Sequence, residues 1–573
     1  MSVQRAYLPP VLEQGRSWGF AVNLYALRSR RNWGICDFTD LRDFVRFAAS
    51  AGAGIVGTSP LHALHYAWPE AASPYSPSSR YFLNPIYIDV EAIQEYRSDA
   101  PRAAKLRQRV HAKPFATTLR ELREAPAVAY ARVAKVKWRA LEEVYAIPRS
   151  PERAAAFAAF IERGGERLER FATHEALADH FARTAATRGW LEWPSEYRDA
   201  ASEVVRSWAA KRRRRVNYFK FLQWIVDEQL DAVARDAHAL EIGLYLDVAV
   251  GVDVSGADVW HDPSAYVLEE TIGAPPDPFG PLGQNWGLPP VAPEALLREG
   301  GAAFGDLLAR NMAHAGALRF DHVMALMRLF RIPRGKTPAE GAYVAYPFEE
   351  LLAVASAESV RARCLIVGED LGSVPEGFRE RMERQGILSY RVLLFEREDD
   401  GSFKAPERYP ALALATATTH DVPPIAGWAV GRDIDSWDRT GLMPADWSQA
   451  ARSARRVDVS RLLDALQRSG ELDDAAFEAA HRTVDARSED PSSYDELVRA
   501  VYRYLAKTPS RLVVVALDDA LAEFEQVNLP GTFFEYPNWR RKNAFDLERI
   551  ASDGRIATLA AEVRERVKGG SGP

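Results

Sequence analysis

Cysteine is nearly absent from this sequence of 573 residues, which contains only Cys36 and Cys364. Two thiols cannot supply a disulfide framework or a cysteine-ligated structural zinc site, and their scarcity fits a reducing compartment. No apolar stretch reaches the roughly 20 residues that span a bilayer. The N-terminus, MSVQRAYLPP, lacks the uninterrupted apolar core of a signal peptide. The expectation is a soluble, cytoplasmic protein with no membrane partner. An excess of positive charge is missing too. The formal net charge is −6, which argues against a nucleic-acid partner, because phosphate binding needs a basic surface. No G-x-G-x-x-G opens a helix after an early strand, which sets aside a nucleotide-binding dehydrogenase. No H-E-x-x-H or similar ligand cluster implies a metal, and no cofactor is expected.

Apolar residues are plentiful, at 47% of the chain, enough for a substantial core. Eight short runs read as buried parallel strands: FAVNLYAL (20–27), GIVGTSPL (54–61), GLYLDVAV (243–250), ALRFDHV (317–323), CLIVGEDL (364–371), YRVLLFE (390–396), ALALATATTHD (411–421) and RLVVVALDDA (511–520). Runs apolar on both faces are what a helix-covered sheet requires. Eight of them alternating with helices predict an α/β fold, a (β/α)8 barrel with large helical insertions.

The uneven spacing locates the insertions. Residues 1–90 and 241–573 are assigned to the barrel, and the Ala-, Arg-, Glu- and Leu-rich stretch 91–240 to a mainly helical insertion. A second helical insertion runs from about 432 to 505, and the tail KGGSGP (568–573) is expected to fray. The run KRRRR (211–215) has two readings, a nucleic-acid or localisation patch and a solvated helix face. Its place before VNYFKFLQWIVDEQL in a net-negative chain favours the helix face.

Three strands end in carboxylates: Asp321 after ALRF, Glu369 after LIVG and Asp421 after ATATTH. They fall on the fourth, fifth and seventh strands, so they converge on one barrel mouth, the face where such barrels place active sites. Glycosyl transfer with retention needs one ionised carboxyl group to attack and one protonated group to release the leaving oxygen. A third carboxylate can organise sugar hydroxyls and raise the acid's pKa by repulsion. Taken singly, each residue reads equally as a helix N-cap or a polar turn. Arg319, two residues before Asp321, shares its strand face and suits an ion pair with it. His322 and His420 flank two of the acids and offer hydrogen bonds to hydroxyls, although strand-end histidines are often structural. The segment GAPPDPFGPLGQNWGLPP (273–290) reads as a shaped surface loop rather than a core element, with a Pro-rich linker as the alternative. Its Asp277, Gln284 and Trp286 offer an acceptor, an amide and a flat apolar face, a set that suits a pyranose ring.

With these residues in place the chain resembles the bacterial amylomaltases, or 4-alpha-glucanotransferases, relatives of the α-amylases. The matching stretches are LYALRSRRNWGICDFTDL (24–41), ASPYSPSSRYFLNPIYIDVE (72–91), YLDVAVGVDVSGADVW (245–260), DPFGPLGQNWG (277–287), ALRFDHVMAL (317–326), VGEDLGSVP (367–375), TTHDVPP (418–424) and NLPGTFFEYPNWRRK (528–542). They cover essentially the whole chain in the family's order. The resemblance implies that Asp321 is the nucleophile, Glu369 the general acid/base and Asp421 the transition-state stabiliser. It places Arg319 and His420 at the same subsite. Asp277, Gln284 and Trp286 match donor- and acceptor-binding positions, and Tyr75 and Asn538 match further sugar contacts. The implied substrates are α-1,4-glucans (maltooligosaccharides, starch or glycogen), handled by a monomer or homodimer.

The chain departs from the family pattern at two places. Cys36 stands where Gly-Ile-Gly-Asp is usual, which predicts a strained or altered turn if that glycine serves a positive φ. Ser59 replaces a common Asn before Pro60. Two rivals to the transferase reading are an α-1,4-glucan hydrolase of the amylase type and a non-catalytic glucan-binding barrel.

Overall fold

The computed structural model describes residues 4–276, 282–444 and 446–569. Eight parallel strands close a barrel: β1 (Ser17–Val22), β2 (Ile55–Thr58), β3 (Gly243–Val248), β4 (Ala317–Phe320), β5 (Leu365–Gly368), β6 (Leu388–Val392), β7 (Ala413–Thr416) and β8 (Leu512–Ala516). Each pairs with its neighbours in sequence, and β1 closes on β8 through Ser17 opposite Leu512. Strands β2, β4, β5 and β7 are buried at every position, which is why they read as continuous apolar runs rather than alternating ones.

The first strand lies earlier than the run 20–27. It begins at Ser17, and Leu24–Ala26 is a single 3-10 turn. Gly19 hides the strand in the sequence, but it is required by packing: a Cβ there would lie 1.9 Å from the Ile55 carbonyl oxygen. The sixth strand is likewise displaced to 388–392, with a 3-10 turn over Leu393–Phe395.

The barrel interior is layered. Ile55, Tyr245, Ala317, Leu365, Leu388 and Leu512 form part of an apolar cluster at the N-terminal end. Gly57 makes room for the Tyr245 ring, since a Cβ would come within 2.7 Å of its Cδ1. Further along the same inward faces, the two-residue period brings in Asp247, Arg319 and Tyr390 two residues on, and Glu369 four residues beyond Leu365. The barrel is therefore closed with hydrocarbon below and charged above.

Between β2 and β3 lie an antiparallel pair, His62–Ala63 with Ser79–Leu83, and a series of helices that includes Pro151–Ala185 and Arg213–Asp236. The basic run spans the junction of two helices: Lys211 ends the helix Glu203–Lys211 and Arg213–Arg215 open Arg213–Asp236. Arg213 pairs with Glu169 at 3.0 Å, and Arg215 with Glu142 and Asp179, both at 2.7 Å. Two of the run's five charges are thus met by carboxylates of neighbouring helices. Among the described residues five α-helices run between β7 and β8, from Ile425–Val430 to Asp495–Ala506.

Segments following β3 and β4 build a four-stranded antiparallel sheet in the order Ala342–Ala345, Arg328–Pro333, Glu270–Ala274, Gln284–Asn285. The stretch read as a surface loop is therefore in part a hairpin, with Gly273 opposite Asn285 and Ala274 opposite Gln284. Its arms are too short to show a strand period.

Cys36 is buried with no positive φ; that conformation falls on Gly34, at φ +91°. The turn is unstrained at Cys36, and Asp37 caps the helix Phe38–Ser50 by accepting from the Thr39 and Asp40 amides. Both cysteines are free and buried. Ser59 is buried too. The final helix extends to Gly569, so Lys568 and Gly569 are helical rather than frayed, and Lys568 reaches Glu241 at 2.6 Å. Residues 570–573 lie outside the described residues. Among the described residues no helix is long and apolar enough to cross a membrane.

Candidate active site

The C-terminal ends of β3, β4 and β5 are locked in register around one cation. Asp247 on β3 lies opposite Arg319 on β4, and Val367 on β5 lies opposite Arg319 on its other side. The Arg319 guanidinium donates from Nη1 to both oxygens of Asp247 at 2.9 Å and to Asp321 Oδ1 at 2.9 Å. Its Nη2 lies 3.8 Å from Glu369 Oε2. Burial works against the arginine charge, but Asp247 and the other acids more than offset it, so the guanidinium stays cationic.

Two buried carboxyl groups, Asp247 and Glu369, and the partly exposed Asp321 around one guanidinium leave an excess of negative charge. The strain is relieved by a proton. Burial pushes the Glu369 carboxyl up to about 7, against the opposing pull of Arg319 and two backbone amides and with the help of Asp321. Those amides fix both its oxygens: His322 N–H donates to Oε2 and Leu371 N–H to Oε1, each at 2.8 Å. To present its amide this way His322 adopts a left-handed backbone, φ +46°, which costs a non-glycine residue on the order of 1–3 kcal/mol. Its ring is held neutral, with burial depressing its pKa to about 4, and it meets the Trp286 ring edge-on at 5.2 Å.

Tyr75 links the acids to a second group. Its hydroxyl donates to Asp247 Oδ2 at 2.6 Å and lies 3.2 Å from His420 Nδ1, and the two rings stack at 4.3 Å. His420 Nε2 lies 3.4 Å from Asp421 Oδ2. Asp421 is held from its other side by Asn528, whose Nδ2 donates to Oδ1 at 2.7 Å. Asp421 sits at the rim, its side chain 48% exposed, whereas those of Asp321 and Glu369 are 16% and 10% exposed. A continuous chain of contacts thus runs from Asp421 through His420, Tyr75, Asp247 and Arg319 to Asp321 and Glu369.

Nine of the ten described residues singled out in the sequence touch this chain or its neighbours, with Gln284 joined through a hydrogen bond from Trp286 Nε1 at 2.9 Å. Asn538 is the exception. Its amide is engaged within its own loop, with Oδ1 accepting from Leu529 N–H and Nδ2 donating to Thr532. Asp277 lies outside the described residues.

Sequence reasoning missed Asp247, Asn528 and Trp539. Asp247 had a visible signal, an acid within the otherwise apolar run GLYLDVAV. Asn528 and Trp539 lie within the matching stretch NLPGTFFEYPNWRRK, but their place at the site depends on a loop that returns to it from far along the chain.

Comparison with known proteins follows the same outline. The family model described as 4-alpha-glucanotransferase matches residues 22–546. A 4-alpha-glucanotransferase of Haemophilus influenzae is 38% identical over 578 residues, covering 99% of this chain and 81% of that protein. One from Mycobacterium bovis is 38% identical over 576 residues, covering 97% and 76%. The crystal structure of amylomaltase from Corynebacterium glutamicum superimposes with a TM-score of 0.84 at 31% identity, covering 96% of this chain and 75% of that one.

Proposed function

The chain belongs to the 4-alpha-glucanotransferase family and is an enzyme of that activity, and from this premise we propose which of its residues carry the reaction and how. Asp321 attacks the anomeric carbon of a bound α-1,4-glucan while Glu369 gives its proton to the departing glycosidic oxygen. A covalent glucosyl-enzyme forms on Asp321 through an oxocarbenium-like transition state. Glu369, now a carboxylate, removes the proton from the 4-hydroxyl of an incoming glucan. That oxygen displaces Asp321, and the α-linkage is restored. Asp421 steadies the positive charge on the ring and holds hydroxyls, with His420 beside it.

The observation that carries this reading is the Arg319 guanidinium. It is ion-paired with Asp321 at 2.9 Å while Glu369, 3.8 Å away, holds its proton up to about pH 7. The ion pair at Asp321 suits a nucleophile and the raised Glu369 carboxyl suits a proton donor, which is the division of labour the double displacement needs. The steps require only carboxyl chemistry.

Transfer rather than hydrolysis requires a sugar hydroxyl to be held in preference to water. We assign that task to the hairpin bearing Gln284 and Trp286, whose indole sits over His322 beside Asp321. The α-glucan substrate class follows from the family; the preference for maltooligosaccharides, starch or glycogen is part of this proposal. The two free thiols support a cytoplasmic site of action, and a monomer or homodimer is our reading of its assembly.

Incubation with maltotriose tests the scheme. Glucose and a ladder of longer glucans are expected, with no matching rise in reducing ends. Asp321→Ala is expected to abolish the ladder, and Glu369→Gln to accumulate a covalent glucosyl adduct from an activated glucosyl donor. Full activity of Asp321→Ala would overturn the assignment.

A further inference from the structure

The segment NLPGTFFEYPNW (528–539) carries two phenylalanines that the scheme above leaves without a task. Phe533 and Phe534 are 65% and 97% exposed, whereas aromatic side chains normally supply buried area. The loop holds them there through its own bonds. Asn538 Oδ1 accepts from Leu529 N–H at 2.8 Å, and Asn538 Nδ2 donates to the Thr532 carbonyl at 3.0 Å. Thr532 Oγ1 donates to the Leu529 carbonyl at 2.7 Å. At the tip, Glu535 Oε2 accepts from the Phe533 amide at 2.8 Å and the Phe534 amide at 3.0 Å. Gly531, at φ +81°, makes the turn that a residue with a side chain would resist.

Both ends of this loop are fastened inside the active site. Asn528 enters it, bonding Asp421 at 2.7 Å and donating its amide to the His420 carbonyl at 3.2 Å. Trp539 leaves it, with its ring 5.4 Å from both Tyr75 and His420. Phe533 follows Asn528 by five residues, so even a fully extended backbone keeps the two within ~17 Å. An oligosaccharide seated at Asp421 and extending out of the mouth spans that distance with a few sugar units.

We infer that Phe533 and Phe534 form a stacking platform for glucose rings of the α-glucan beyond the catalytic pocket, and that they set the enzyme's preference for longer chains. The inference rests on the substrate reading above. The apolar face of a pyranose ring matches an aromatic face. Two phenylalanines with two χ angles each lose little freedom on contact. A second protein molecule is the poorer occupant, because two such rings bury roughly 300–500 Å² against the ~1,200 Å² or more that a stable interface needs.

The test compares kcat/KM for maltoheptaose and maltotriose in wild type and in Phe533→Ala/Phe534→Ala. The maltoheptaose-to-maltotriose ratio is expected to fall roughly tenfold. Phe533→Leu/Phe534→Leu, which keeps apolar bulk without a flat face, is expected to show a similar loss, and Phe533→Trp/Phe534→Trp to restore the ratio. Melting temperatures of the variants are measured alongside, so that a folding defect is separated from lost stacking. An unchanged ratio in the alanine variant overturns the platform, as does a change confined to concentration-dependent self-association. Wild type in the same assay supplies the distinction from the catalytic reading. Its failure to disproportionate maltotriose would overturn that reading, whereas an intact ladder with an unchanged ratio removes the platform alone.

Discussion

A single proton on Glu369 connects pH, catalysis and stability at this site. Because its carboxyl is pushed up to about 7, the alkaline limb of kcat/KM is expected near pH 7, reporting loss of the acid from the free enzyme. Asp247 sets how much of the Arg319 charge reaches Glu369. Asp247→Asn leaves the guanidinium to Asp321 and Glu369, so that limb is expected to move to lower pH, and kcat/KM to fall roughly 10- to 100-fold as Arg319 shifts. A limb unmoved in Asp247→Asn would separate Asp247 from the acid's proton. The same group has a stability consequence of definite sign. Between its ordinary value of 4.5 and about 7 the unfolded chain has released a proton that the folded chain retains, so stability falls as pH rises through that window. Glu369→Gln removes this loss, and its gain in Tm over wild type is expected to be larger at pH 8 than at pH 4.5. The three acids and Arg319 were legible in the sequence because each follows an apolar run or shares its inward face. Asp247 carried the same signal, a lone acid within the apolar run GLYLDVAV, but it lies inside the run rather than at its end and was passed over. The left-handed backbone of His322 had no sequence signal, since nothing in RFDHVM marks it.

Among the elements, the barrel strands were the most readable and the small antiparallel sheet the least. Strands of four residues buried on both faces stand out as apolar runs. The Gln284–Asn285 arm has two residues and no period to detect. That short arm nonetheless positions Trp286, whose amide donates to the Ile272 carbonyl at 2.9 Å. Trp286→Ala is expected to raise the hydrolysis-to-transfer ratio, measured as reducing ends formed per sugar transferred. Gly273→Ala tests the hairpin itself. A Cβ at Gly273 would lie 2.1 Å from the Gln284 carbonyl oxygen, so the arms must part and the ratio is expected to rise in the same direction. If both variants partition like wild type, the hairpin does not exclude water.

The whole molecule joins a site made of carboxyl groups to a scaffold made of apolar layers. No step of the proposed reaction uses a metal, and among the described residues no group of three or more potential ligands could hold one. Dialysis against EDTA is accordingly expected to leave both the transfer rate and the Tm unchanged. The barrel class was legible from eight apolar runs alternating with helical stretches. The way the chain's far end returns to the site was not, because the loop 528–539 approaches His420 and Asp421 only after β8 has closed the barrel.

That closure also has a cost during synthesis. Ser17 must find Leu512, so an emerging polypeptide holds an unpaired edge on β1 while nearly all the rest is translated, roughly 25–100 s at 5–20 residues per second. Until the ribosome releases the final strand, this edge is the place where a nascent molecule is open to a chaperone or to a neighbouring copy.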